Sequence, residues 1–255
     1  MRNFKLLMAF AIFSITSFAI YSCAKENDSK QNLQTVNTEV EIRIGTEPCE
    51  GVGGNCTGQF ATFFETVTLP QYPNCTFEIE YKMRSCVING QLKFDLQMVE
   101  WGPWPACQDF DDDLDSVIIN NPGGVALWLQ NIEKKIMTAL VTKLSPNYTI
   151  PNCGSVNNVT FGFSHGSCIK FCLVKKISTK PGGLTIWKAI QIPCGEACCR
   201  TEYKVCKNPD GALNIQVQAF SIQTVPGSCE SQVPDIPCPK GTYYSTSCIP
   251  NCQAL

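Results

Sequence analysis

A mainly β fold of the α+β kind, rich in disulfides, is predicted by three observations. Apolar residues alternate with polar ones along several stretches that end in turn residues; seventeen cysteines fall in 255 residues; and one segment carries apolar residues at helical spacing. Alternation puts every second side chain on one face of a strand, so each stretch reads as half-buried β structure. With 44% hydrophobic and 16% charged residues, and with 18 glycines and 16 prolines, the chain is folded and loop-rich rather than disordered. The net charge is −2 and the lysines and arginines form no cluster. Nucleic acid is therefore not an expected partner, because binding phosphates needs a concentrated cationic surface.

In chain order, residues 1–22 come first, with Arg2 and Lys5 followed by an apolar run from Leu6 to Ile20. The run is too short and wrongly flanked for a membrane span, so it reads as a removable signal. Its loss takes the net charge from −2 to about −4. The junction Ile20-Tyr21-Ser22-Cys23 resembles the lipobox of bacterial lipoprotein precursors, departing from the commonest pattern at Tyr21 and Ile20. The resemblance implies that Cys23 is acylated, with palmitate among the usual acyl groups, and becomes the new N-terminus. The next residues, Ala24-Lys25-Glu26-Asn27-Asp28, resemble the tract that marks surface-exported lipoproteins of the Bacteroidota type. Together they imply an outer-membrane protein, lipid-anchored and facing the cell exterior. Residues 23–39 are polar and read as a flexible tether.

The body of the chain contains an internal repeat. Phe64-Glu-Thr-Val-Thr-Leu-Pro70 aligns without a gap on Trp187-Lys-Ala-Ile-Gln-Ile-Pro193, Glu80-Tyr81-Lys82 on Glu202-Tyr203-Lys204, and the ten residues from Gly90 on those from Gly211. Four cysteines follow the register: Cys49, Cys75, Cys86 and Cys107 fall opposite Cys172, Cys198 or Cys199, Cys206 and Cys229. Two related β units are expected, over 40–115 and 151–230, with turns at Val87-Ile-Asn-Gly90 and Asn208-Pro-Asp-Gly211. Residues 116–150 link them and contain one amphipathic helix at about 125–144. Its apolar stripe is Val125, Leu129, Ile132, Ile136, Leu140 and Leu144, bounded by Asn-Asn-Pro-Gly-Gly before and Ser145-Pro146 after. Residues 231–255 form a tail with Cys238, Cys248 and Cys252 that faintly resembles the small cysteine-rich repeats of extracellular receptors.

Setting Cys23 aside leaves sixteen cysteines: Cys49, Cys56, Cys75, Cys86, Cys107, Cys153, Cys168, Cys172, Cys194, Cys198, Cys199, Cys206, Cys229, Cys238, Cys248 and Cys252. An even number in an exported chain reads as eight disulfides, whose pairing the sequence leaves open. Zinc binding at Cys194, Cys198, Cys199 and Cys206 is disfavoured by the oxidising compartment and the absence of a nearby histidine. The adjacent Cys198 and Cys199 are expected to bridge different partners, since neighbours on a strand face opposite ways.

Three candidate sites stand out. Gly162-Phe163-Ser164-His165-Gly166 fits the nucleophile elbow of serine hydrolases, but the chain's single histidine is the serine's neighbour and cannot serve it. Asp109, Asp111, Asp113 and Asp115 read as an acidic loop, a candidate calcium site that lacks the glycine and glutamate of an EF-hand. Asp115-Ser116-Val117 also resembles the short O-glycosylation acceptor of exported Bacteroidota proteins. Trp101 and Trp104, with Glu100, offer an aromatic platform for a sugar ring, although the repeat places Ile222 and Val225 at the equivalent positions.

No catalytic residue is assigned. The expected role is non-catalytic: binding, adhesion or an accessory part of the envelope, with the membrane engaged through Cys23 and a glycan or an envelope protein as partner. Two alternatives are a carboxylate-dependent extracellular hydrolase and an extracellular protease inhibitor. Acidic side chains clustered in a deep groove would mark the hydrolase, and an exposed apolar or aromatic surface would mark binding.

Overall fold

The structure, a computed structural model, describes residues 49, 56, 58–105, 107–155, 158–177, 185–195, 197–221, 229 and 237–252. The signal, Cys23, the tether, Ile222 and Val225 lie outside them. Among the described residues, strands dominate and every strand belongs to one sheet.

The first repeat unit folds as a meander. Strands β1 (Ala61–Leu69), β2 (Tyr72–Ile88) and β3 (Gln91–Pro103) pair antiparallel in sequence order. The turn between β2 and β3 is the Asn89-Gly90 pair, with φ of 53° and 77°. Positive φ at both positions matches the right-handed twist of a two-residue hairpin, which explains why asparagine and glycine stand there. On β2 the alternate residues Phe77, Ile79 and Tyr81 are buried, and on β3 Phe94, Leu96 and Met98 continue the same face.

β3 is the branch point of the sheet. One edge pairs with β2 along its length, while the other pairs with two different strands. Its first half, Lys93 to Leu96, runs parallel to β4 (Val159–Gly166), and its second half, at Glu100 and Trp101, runs antiparallel to β6 (Thr185–Pro193). β4 continues into β7 (Cys198–Lys207) and β8 (Leu213–Ser221). β6 continues into β5 (Cys168–Ile177), whose outer edge takes the short β9 (Thr242–Ser245) and β10 (Ile249–Pro250).

A parallel pair cannot be joined by a hairpin and needs a crossover. Here the crossover from β3 to β4 is made of two helices where the sequence predicts one: α1 (Gln108–Asn120) and α2 (Val125–Leu144). The predicted stripe of α2 is buried on the sheet, together with Met137 and Val141. Phe110 and Leu114 of α1 join the same core. Each such side chain contributes roughly 1.5–3 kcal/mol by leaving water.

The mainly β, disulfide-rich architecture agrees with expectation, and each repeat segment is a strand: β1, β2 and β3 correspond to β6, β7 and β8. The pairing differs between the copies. β1 and β2 form a hairpin, whereas β3 and β4 separate β6 from β7. The two units therefore share one sheet.

All sixteen cysteines are bridged: Cys49 to Cys198, Cys56 to Cys86, Cys75 to Cys107, Cys153 to Cys206, Cys168 to Cys229, Cys172 to Cys238, Cys194 to Cys248 and Cys199 to Cys252. Cys198 and Cys199 bridge different partners, as their alternation on β7 requires. The four last cysteines all bridge to β5, β7 or the end of β6, so the tail is stapled across these strands. No helix among the described residues is long and apolar enough to cross a membrane, a statement that does not extend to strands.

Candidate functional site

Of the candidate residues, Trp101 is 1% exposed and lies in the core against Phe77 and Phe110. Its ring therefore has no face for a sugar, which corrects the platform reading. β3 places Glu100 and Trp101 on opposite faces, with Glu100 half-buried beside Glu80 and Ile190. Trp104 is also half-buried, and its backbone N–H donates to Thr76 O at 2.7 Å.

The aspartates form no loop. Asp109, Asp111, Asp113 and Asp115 lie in α1, where alternate positions turn through about 200° and point apart. Asp109 and Asp111 occupy the first turn, where the helix dipole favours negative charge. Asp113 accepts a hydrogen bond of 2.7 Å from the Tyr72 hydroxyl, and burial with nearby Asp115 and Asp112 raises the Asp111 pKa. Among the described residues, no three acidic, histidine or cysteine side chains converge as a metal site.

β4 sends Ser164 and His165 to opposite faces of the sheet. On the face away from the helices, Ser164 Oγ accepts from Arg200 Nη1 at 3.2 Å, and a Cβ at Gly162 would overlap the same guanidinium. The glycine of the apparent elbow thus makes room for an arginine. On the helix face, the Asn251 amide donates to His165 Nδ1 at 2.8 Å, while Asn251 Oδ1 accepts from Gln130 Nε2 of α2 at 2.7 Å. With Nδ1 an acceptor, the ring proton sits on Nε2 and is donated to Thr201 Oγ1 at 3.1 Å. The relay ties α2, the tail, β4 and β7 together.

Burial depresses the His165 pKa from 6.5 to about 4. The unfolded chain therefore takes up this proton at higher pH than the folded one. The stabilisation is fully present above about pH 6.5 and is lost as pH falls to about 4, a change of about 3 kcal/mol. Urea midpoints measured from neutral pH to about pH 4 should follow this fall, and His165→Gln should flatten it. An equal slope in the variant would show that other groups carry it.

A different place has the form of a ligand site. Between β1 and α2 runs an open groove of about 1050 Å³. Three consecutive residues of β1, Thr66, Val67 and Thr68, line it although their side chains alternate faces, so the strand presents its edge. Among the described residues, β1 pairs only with β2. The opposite wall is the stripe of α2 that turns away from the core, including Asn131, Lys135, Thr138 and Thr142. Among the described residues, the charged groups on its walls are Lys134, Lys135 and Lys143. Lys143 reaches across to donate to Thr66 O at 2.7 Å and pairs with Glu65 at 2.7 Å.

None of these groove residues is marked by the sequence as a site, although Thr66 to Thr68 lie in the first repeat block. The available signal is the polar stripe of α2 from Asn131 to Thr142, which reads as a solvated face until β1 is known to lie beside it. The chain matches no protein-family model, no curated protein and no solved structure.

Proposed function

We propose that the mature chain is a lipid-anchored binding protein of the outer cell surface, tethered through Cys23, that holds its ligand non-catalytically in the groove between β1 and α2. The observation that carries this reading is the groove itself. Its volume of about 1050 Å³ is just above the usual range of ligand sites, about 300–1,000 Å³. Ammonium groups, threonine hydroxyls and aliphatic stems on its walls suit the retention of a ligand. The acidic cluster that would favour a polymer hydrolase is not what its walls offer.

The test is an array of glycans and peptides probed with the mature chain in detergent, with and without calcium. Thr142→Trp places a bulky ring at an exposed position on the groove wall. It is expected to weaken the array hits by about tenfold or more, equal to at least about 1.4 kcal/mol, with the melting temperature unchanged. Hits untouched by Thr142→Trp would move the site elsewhere.

A further inference from the structure

Beyond the groove, we infer that the face of the sheet turned away from the helices carries a second binding site, one for an anionic sugar unit bearing a carboxylate or a sulfate ester. A cavity of about 400 Å³ opens where the chain enters β1, walled by Gly58, Gln59, Phe60, Thr62, Lys82 and Arg84. Thr62 and Lys82 are paired across β1 and β2, and Arg84 stands two places further along β2, so all three side chains leave the same face. Tyr81 and Met83, on either side of Lys82, pack into the core under the helices, so the cavity opens on the other face.

Among the described residues, the charged groups on its wall are the cations Lys82 and Arg84. Arg84 is held in place. Its side chain is 12% exposed, Nε donates to Asp95 Oδ2 at 3.0 Å and Nη1 to Gly58 O at 3.1 Å, and the guanidinium lies 4.4 Å from the centre of the Phe60 ring. These contacts use two of the five N–H donors of an arginine. The internal repeat supplies a comparison, because Lys82 and Gln97 correspond to Lys204 and Gln218. In the second unit Lys204 Nζ donates to Gln218 Oε1 at 3.1 Å, so the pair closes on itself. In the first unit Lys82 lines the cavity instead. Gln97, its neighbour across β3, is 2% exposed, and its Nε2 has no hydrogen-bond partner among the described residues. An unmatched buried donor is costly, and an anion seated at Lys82 brings acceptors to the same face of the sheet. The remaining walls select the rest of the ligand. The Gln59 amide and the Thr62 hydroxyl both donate and accept, as sugar hydroxyls require. Phe60 adds an apolar surface suited to the C–H side of a sugar ring. The volume lies within the range of small-molecule sites, about 300–1,000 Å³, and leaves room for more than an inorganic ion.

The probes are methyl glucuronide and glucose 6-sulfate, titrated by calorimetry into the full mature chain in detergent, with methyl glucoside and inorganic sulfate as controls. Saturable binding of an acidic sugar that weakens with salt is expected, and the tighter of the two probes identifies the anionic group. The controls should bind at least about tenfold more weakly. Lys82→Gln should weaken binding about tenfold at unchanged melting temperature, and Lys82→Arg should restore most of it. Thr62→Trp places a bulky ring at an exposed position on the cavity wall and should abolish binding. Thr142→Trp, in the groove, should leave it intact, so the two sites are tested separately. No saturable binding of either acidic sugar would overturn the inference. So would binding unchanged in both Lys82→Gln and Thr62→Trp, or inorganic sulfate binding as tightly as the sugars, which would leave an ion site only. Loss of binding in Thr142→Trp would place the acidic sugar in the groove and overturn the second site.

Discussion

Replacing Asp95 by alanine is expected to destabilise the protein by about 3–5 kcal/mol, the cost of leaving buried cations without their counterion. Asp95 lies on β3 on the face away from the helices, with its side chain 3% exposed. Its two carboxylate oxygens are both engaged: Oδ1 accepts from Arg200 Nη2 at 2.8 Å, and Oδ2 from Arg84 Nε at 3.0 Å and from the Cys56 N–H at 3.3 Å. Arg200 is as deeply buried and also reaches Glu202 and Ser164. Charges removed from water are tolerated only when their partners satisfy them. Removing one member exposes the full desolvation cost of the others. Urea unfolding of Asp95→Ala measures the loss. A second variant, Asp95→Leu with Arg200→Met, should recover a large part of it, because an apolar replacement leaves fewer unpaired charges. A loss below about 1 kcal/mol in Asp95→Ala would mean that water reaches the network and screens it.

The double variant Cys49→Ser, Cys198→Ser is expected to lose about 4 kcal/mol. This bridge spans 149 residues, the longest separation of the eight. A loop of that length restricts the unfolded chain by about 5 kcal/mol when it is the only link. The other bridges shorten the path between the two cysteines, which brings the value to about 4 kcal/mol. Comparing denaturant midpoints of the variant and the parent, each checked for free thiols, tests this. An unchanged midpoint would show that the remaining bridges already impose the same restriction.

The strands of the repeat, their turns and α2 were legible in the sequence because each is written by residues close together in the chain. The repeat locates β1 to β3 and β6 to β8, and the bounds of α2 agree with its stripe and flanking turn residues. Asn89-Gly90 announces its hairpin through the φ values that only a few residues accept. The even number of cysteines other than Cys23 reads as disulfides, and the structure bridges all sixteen. α1 was partly legible, since Phe110, Leu114, Val117 and Ile118 have helical spacing. The aspartates between them have low helix propensity and hid it behind a pattern of alternate acids.

The candidate site was not legible, and the reason is distance along the chain. That α2 lies beside β1 and that β3 is shared by β4 and β6 depend on pairings between segments far apart in sequence. The cysteine partners depend on the same pairings, because a bridge forms only where the fold brings two thiols within a few ångströms. Trp101 faces the core rather than solvent for a related reason: alternation says that one side of β3 is buried, and only the packing of α1 and α2 says which side. Local periodicity, turn chemistry and the parity of the cysteines thus belong to the sequence alone. Strand order, disulfide pairing and the groove belong to the tertiary structure, where the free energy of long-range burial selects one arrangement among many that the local pattern permits.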